Sequence, residues 1–205
     1  MAIVTGIEAT RTRVIVYADG SELARLQKAH FDKCPLEEGE EFDPEQWIDR
    51  IAAAQFADAY EAALTSLDFC ARSAKELSNT LKRKGFVQPA IEATVERLRD
   101  AGLIDDAQYA RRMAESQTRK PVGVYAFKRK LMAKGISEDD AQEALAAFDD
   151  DQQRAACRAA AEKLWRKYEA LPRREARAKL SQALARRGFA WDAIESVLDD
   201  LVESF

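Results

Sequence analysis

The side chains able to do chemistry are few and poorly grouped. His30 is the single histidine of the chain. A zinc site with two or three histidine ligands is therefore excluded, and Ser-His-Asp or Cys-His catalysis would have to run through that one imidazole. Next to a small predicted sheet, His30 reads as a structural or solvated residue. Cys34, Cys70 and Cys157 are odd in number, far apart and without a C-x-x-C pairing, so they read as ordinary reduced thiols. Carboxylates cluster at Asp105-Asp106 and Asp149-Asp150-Asp151. Such pairs could serve acid–base or metal chemistry, but both stand where helices are expected to begin, and there capping and the helix dipole account for them. The eight glycines form neither G-x-x-x-x-G-K-[ST] nor G-x-G-x-x-G, so no phosphate-cradling loop is expected. The expectation is a protein without catalytic residues, cofactor or metal.

What remains is segregated charge. The chain of 205 residues has a formal net charge of −4, which argues against a generic polyanion binder. That sum hides three basic stretches. Residues 72–85 carry Arg72, Lys75, Lys82, Arg83 and Lys84 against Glu76 alone. Residues 119–135 carry Arg119, Lys120, Lys128, Arg129, Lys130 and Lys134 and no acid. Residues 173–188 carry Arg173, Arg174, Arg177, Lys179, Arg186 and Arg187 against Glu175. Acids gather just downstream, at Glu138, Asp139, Asp140 and Glu143 and at Asp192, Glu195, Asp199, Asp200 and Glu203. For one cluster, solvation and neutralising pairs between neighbouring helices suffice. Recurrence in three places points instead to a positive track for an acidic protein surface or a phosphate backbone. Aromatic interleaving is thin: Trp47, Trp165 and Trp191 are expected to pack at repeat junctions and Phe127 in a core, which leaves Tyr125 free among the cations.

The elements that must position these charges form an internal repeat. Leu77-x3-Leu81-x2-Lys84-Gly85-Phe86, Phe127-x3-Leu131-x2-Lys134-Gly135-Ile136 and Leu180-x3-Leu184-x2-Arg187-Gly188-Phe189 superimpose. Apolar residues at i and i+4 bury one stripe of a helix, a basic last turn suits its negative end, and glycine supplies the left-handed C′ position. A second helix follows each glycine, with Pro89 suited to N1 and Ser137 with Asp140 resembling a capping box. Upstream helices are expected at Trp47–Phe69, Asp105–Thr118 and Asp149–Glu169, the first capped by Asp43 with Pro44 at N1. A helix-turn-helix DNA reader would place the helix after the turn in the major groove. Here that helix is acidic, which disfavours an operator binder.

Residues 1–46 differ. Arg11–Tyr17 alternates and is β-branched, Asp19-Gly20 is a hairpin turn, and Ile3–Thr5 and Leu23–Leu26 can complete a small antiparallel sheet. Pro35 and Glu37–Glu41 read as a solvated turn. The expected fold is mainly α: three tandem three-helix repeats, at 47–100, 101–150 and 151–205, forming an elongated curved body. A small antiparallel β module at 1–46 precedes them. Met1–Glu8 lacks the shape of a signal peptide, and no apolar run approaches the roughly 18 residues needed to span a membrane. A soluble cytoplasmic protein with no membrane partner is expected.

Several of these residues also carry a family resemblance. Arg72-Ser73-Ala-Lys-Glu76-Leu77, Leu81-x-x-Lys84-Gly85-Phe86, Gly102-Leu103-Ile104-Asp105-Asp106-x-x-Tyr109-Ala110, Arg119-Lys120 and Leu131-x-x-Lys134-Gly135-Ile136 resemble the bacterial regulatory RecX family in order and spacing over about residues 47–205. Val14–Gly20, and Gly39 before Phe42-Asp43, resemble the β extension of its longer members. After Gly123 the family often shows proline and further basic residues, where this chain has Val124, Tyr125 and Ala126. The resemblance implies a modulator of the RecA recombinase in DNA repair, lying in the groove of the RecA–DNA filament and restraining its growth, ATP hydrolysis and strand exchange. The expected partners are the RecA filament and single- or double-stranded DNA, met by a monomer. The candidate contacts are Arg72, Lys75, Lys82, Arg83, Arg119, Lys120, Lys128, Arg129, Lys130, Arg173, Arg174 and Arg177. A nucleic-acid-binding helical repeat that acts without RecA, or a scaffold for an acidic partner, stays open as an alternative.

Overall fold

The computed structural model describes residues 1–117 and 122–204, in which residues 1–105 and 106–205 form two compact units. The first unit opens with an antiparallel sheet of β1 (Ala2–Ala9), β2 (Arg13–Ala18), β3 (Ser21–Gln27) and β4 (Glu41–Phe42), in the order β3-β2-β1-β4. The expected hairpin is present: Asp19 and Gly20 both have positive φ, at 49° and 80°, as a turn matched to strand twist requires. Val14, Val16, Ala18, Ala24 and Leu26 alternate onto one buried face. β1 runs longer than Ile3–Thr5. Two elements were not foreseen, the short α1 (Lys28–Phe31) and β4. The acidic run before β4 masks it, but Phe42 is buried, and the Val4 N–H donates to Glu40 O at 3.0 Å.

A sheet this small cannot stabilise itself. Its core is completed by Trp47 and Ile51 of α2 (Pro44–Phe69) and by Val87 and Ala90 at the start of α4 (Gln88–Asp100). Trp47 donates its indole N–H to Cys34 O at 2.9 Å. Asp43 caps α2 as expected, accepting from the N–H groups of Glu45 and Gln46. Gln55 is a polar side chain on the buried face of α2. Gln55 accepts from the Val87 N–H at 2.7 Å and donates to Gly85 O at 3.2 Å. Its amide nitrogen also lies 3.4 Å from His30 Nδ1, and His30 Nε2 lies 2.8 Å from Asp58 Oδ2. The amide donor facing Nδ1 puts the ring proton on Nε2, which then donates to Asp58. His30 is thus a satisfied buried histidine, only 2% exposed.

Among the described residues the chain is mostly helical, and the three-helix repeat recurs three times. The first repeat is α2, α3 (Ala74–Lys84) and α4; the second is α5 (Asp106–Gln117), α6 (Val124–Ala133) and α7 (Glu138–Leu145); the third is α8 (Asp150–Trp165), α9 (Arg173–Arg186) and α10 (Trp191–Ser204). Leu77 and Leu81, Phe127 and Leu131, and Leu180 and Leu184 are all fully buried, each contributing about 1.5–3 kcal/mol by leaving water. Each pair belongs to its own hydrophobic cluster. In the second, Phe127 packs on Phe148 with ring centroids 5.2 Å apart. Gly85, Gly135 and Gly188 have φ of 91°, 85° and 81°. The N–H of the residue after each glycine reaches back to the carbonyl of Leu81, Leu131 or Leu184, the bond that closes a left-handed helix end.

Helix ends differ from expectation in small ways. Pro89 stands second in α4, not first. The Ser137 hydroxyl accepts from the Asp140 N–H at 3.1 Å and donates to the Asp140 carboxylate at 2.7 Å, in place of the reciprocal backbone bond of a full capping box. That full box stands instead at Ser73 and Glu76, opening α3. α8 stops at Trp165, short of Glu169, because the chain tightens into i→i+3 turns at Lys167 and Tyr168. Thr118 lies outside the described residues.

Candidate partner-binding surface

The middle helix of each repeat buries its apolar stripe and turns its cations outward. On α3, Lys75 and Lys82 stand seven residues apart on the exposed side, and Arg83 is exposed beside them. Lys75 and Lys82 form no ion pair among the described residues, and Arg83 makes a 3.3 Å bond to the Thr80 hydroxyl. Arg72 is half-buried before the helix, its Nε 3.5 Å from Ser66 O. On α6, Arg129 and Lys130 are exposed without an ion partner among the described residues, and so is Tyr125, at 54% exposure. Tyr125, Arg129 and Met132, spaced four and three apart, form one outward stripe. On α9, Arg173 and Arg174 occupy the first turn, against the helix dipole, which a cation there opposes. Arg186 and Arg187 are exposed at its other end. Arg119 and Lys120 lie outside the described residues.

Lys128 and Arg177 are spoken for. Lys128 is half-buried and donates to Glu138 at 2.9 Å, and Arg177 donates to Asp199 at 2.6 Å. The hydrogen bond from Lys128 holds the Glu138 carboxyl below its ordinary range. First helices contribute too, through Arg111 to Glu143 at 3.1 Å and Arg158 to Asp200 at 2.9 Å. Two acids on each third helix of the second and third repeats are therefore paired inside their own repeat, while Arg129, Lys130, Arg174, Arg186 and Arg187 have no acid against them among the described residues. Exposed pairs of this kind are worth little in stability.

Trp191 departs from expectation. It is 57% exposed, not packed at a junction, and donates its indole N–H to Glu195 at 2.9 Å. Pattern reading also missed the contact that joins the second and third repeats. Gly123, before α6, backs directly onto Gly188, the turn after α9: the Gly123 N–H donates to Arg187 O at 3.3 Å and the Tyr125 N–H to Gly188 O at 3.0 Å. A Cβ on either glycine would overlap the other segment. Two glycines far apart in sequence carry no local signal of that closeness. Among the described residues no group of three His, Cys, Asp or Glu side chains could hold a metal ion, and no helix is long and apolar enough to cross a membrane.

Comparison with known proteins places these repeats. Models of RecX three-helix domains match in chain order: the first at residues 59–98, the second at 105–145 and the third at 150–198. The chain is 31% identical over 208 residues to the regulatory protein RecX of Limosilactobacillus reuteri (strain DSM 20016), covering 98% of this chain and 78% of that one. A crystal structure of regulatory protein RecX superimposes with a TM-score of 0.68 at 28% identity, over 97% of this chain and 100% of that one. A crystal structure of RecX from Lactobacillus salivarius gives 0.65 at 29% identity, over 73% and 97%.

Proposed function

The chain belongs to the RecX family of regulatory proteins, and from that premise we propose that it regulates the RecA recombinase by lying in the groove of the RecA–DNA filament. There it restrains filament extension, ATP hydrolysis and strand exchange by occupancy rather than by chemistry. The observation that carries this reading is the recurrence of outward cations on α3, α6 and α9, while Glu138 and Glu143 of α7 and Asp199 and Asp200 of α10 are paired within their own repeats. Lys75, Lys82 and Arg83 in the first repeat, Arg129 and Lys130 in the second, and Arg173 and Arg174 in the third are the proposed contacts, with Arg119 and Lys120 between α5 and α6 adding to the second. Lys128 and Arg177 have a double role, steadying the acidic helix and adding to the field. A repeated positive surface suits a polymer that presents the same acidic or phosphate-lined groove at every turn. We further propose that the protein acts in the cytoplasm as a monomer and requires no cofactor.

The test is the single-stranded-DNA-dependent ATPase of RecA, with and without this protein. Inhibition is expected; an unchanged rate at stoichiometric excess overturns the proposal. One observation favours a second reading, direct nucleic-acid binding without RecA: Tyr125 is exposed one turn from Arg129 on α6, an aromatic platform beside a cation. That activity would give DNA affinity in the absence of RecA, falling steeply with salt.

A further inference from the structure

The first unit holds a cleft of about 490 Å³ between β3 and the turn that joins α3 to α4. β3 is an edge strand, and its hydrogen-bonding phase is set by the bond from the Lys28 N–H to Thr12 O. In an antiparallel pair, bonded and non-bonded positions alternate. Counting back through the register, Leu26 and Ala24 face β2, while the N–H and C=O of Arg25 and Gln27 face outward. The β1–β2 pairing agrees, since the bond from the Thr10 N–H to Arg13 O directs Ile15 toward β1. Gly85 closes one end of this edge, where a Cβ would lie 3.5 Å from Gln27 N and 3.6 Å from Arg25 O. From the Arg25 N–H toward Leu23 the edge is open.

The walls of the cleft are complementary to a particular kind of chain. Leu23, Ile48 and Val87 supply an apolar floor. Arg13, Arg25, Lys82 and Arg83 supply the rim, against which Glu22 is the single acid, already tied to Arg25 at 2.9 Å. An unpaired strand edge is a template for another strand, and an added strand gains main-chain bonds while alternate side chains enter the groove. A phosphate backbone would use the cations and leave both the apolar floor and the main-chain groups unused.

We propose that this cleft is a docking site for an extended acidic peptide segment of a partner protein, added to β3 as a further strand. The site goes beyond the filament reading and shares only Lys82 and Arg83 with it. Docking and RecA inhibition can therefore fail separately: the test below contains no RecA, and the ATPase assay contains no peptide.

The probe is the acetylated, amidated hexapeptide Glu-Val-Glu-Val-Glu-Val, titrated into the full-length chain and followed by backbone amide NMR. Binding is expected to shift the amides of Leu23 and Arg25 and to slow hydrogen exchange of the Arg25 N–H. Lys82→Glu with Arg83→Glu is expected to weaken affinity about tenfold or more. Arg25→Pro removes an N–H that serves no internal ladder bond, so it should weaken binding beyond Arg25→Ala, which removes the charge alone. Should Arg25→Pro fail to fold, Arg25 exchange in the unaltered chain decides. The proposal is overturned if the peptide shifts no amide of β3, if Arg25 exchange is unchanged on saturation, or if Arg25→Pro and Arg25→Ala bind alike. It is equally overturned if an octathymidylate, and not the peptide, occupies the cleft and loses affinity in the Lys82/Arg83 variant.

Discussion

Gly123→Ala separates two reasons for needing glycine. Gly123 has a φ of −71°, which any residue adopts, so the backbone itself carries no objection to alanine. The objection is space, because the new methyl would overlap the backbone of Gly188 and Phe189, and backbone has no rotamer to escape into. Overpacking costs about 1–3 kcal/mol. If α6 retreats to make room, the bonds from the Gly123 and Tyr125 N–H groups go as well, at about 1 kcal/mol each. The expected loss is about 3–5 kcal/mol, a large share of the roughly 5–15 kcal/mol that a domain possesses. Gly102 is the inverse case, with a φ of 67° and nothing within 4 Å of an added Cβ. Gly102→Ala should lose only the left-handed penalty, about 1–2 kcal/mol. Amide exchange at Leu131 and Leu184 reads residues 106–205, where Gly123 lies, and exchange at Leu77 and Leu98 reads residues 1–105, where Gly102 lies. Where exchange runs through unfolding, it should accelerate roughly a hundredfold or more in Gly123→Ala. The close-approach reasoning is refuted if Gly123→Ala exchanges as the parent does, or if Gly102→Ala proves the more damaging change.

Other perturbations follow from the same contacts. The His30 hydrogen bond, helped by Lys33, holds the Asp58 carboxyl below its ordinary value of 3.8. A lowered folded-state value stabilises above the ordinary one and is lost as pH falls through it; Asp58→Asn should therefore flatten the acid limb of the unfolding midpoint plotted against pH. Burial pushes the Cys157 thiol up to about 11, and Cys34 is buried too. A disulfide reagent at pH 8 should find one fast thiol in the native chain, abolished by Cys70→Ser; two fast thiols would contradict this. Arg129→Glu with Lys130→Glu should weaken RecA-filament binding without lowering the thermal midpoint, whereas Lys128→Glu should lower both, because it also sets a like charge against Glu138. Equal midpoints for the two would show that the Lys128–Glu138 pair does not steady α7.

The repeat was legible because its signals are local. An i, i+4 apolar pair, a basic turn and a glycine lie within ten residues, and the fold honours all three times with buried Leu77, Phe127 and Leu180 and left-handed Gly85, Gly135 and Gly188. The charge segregation was legible for the same reason, since it needs only counting. Pairing was not: that Lys128 and Arg177 answer Glu138 and Asp199 while Arg129 and Lys130 answer no described acid depends on helix packing. β4 was hidden because its first residue, Glu41, ends the acidic run read as a solvated turn, and the strand character of Glu41 and Phe42 comes from Ala2 and Ile3 across the ladder. Gln55 could have been noticed as the polar residue in the buried series Ile51, Gln55, Ala59, a position that needs satisfied partners. Its partners, Gly85 and Val87, could not.

The sheet's reliance on Val87 and Ala90 also bears on vectorial synthesis. Residues 1–42 leave the ribosome well before α4, yet the face formed by Val14, Val16 and Leu26 is roofed only when Trp47, Ile51, Val87 and Ala90 arrive. During that interval the hairpin is a marginal, half-dressed ribbon with an open β3 edge. The acids clustered between 37 and 45 are already present on the chain in that interval, and like charge of this kind disfavours edge-to-edge pairing between copies.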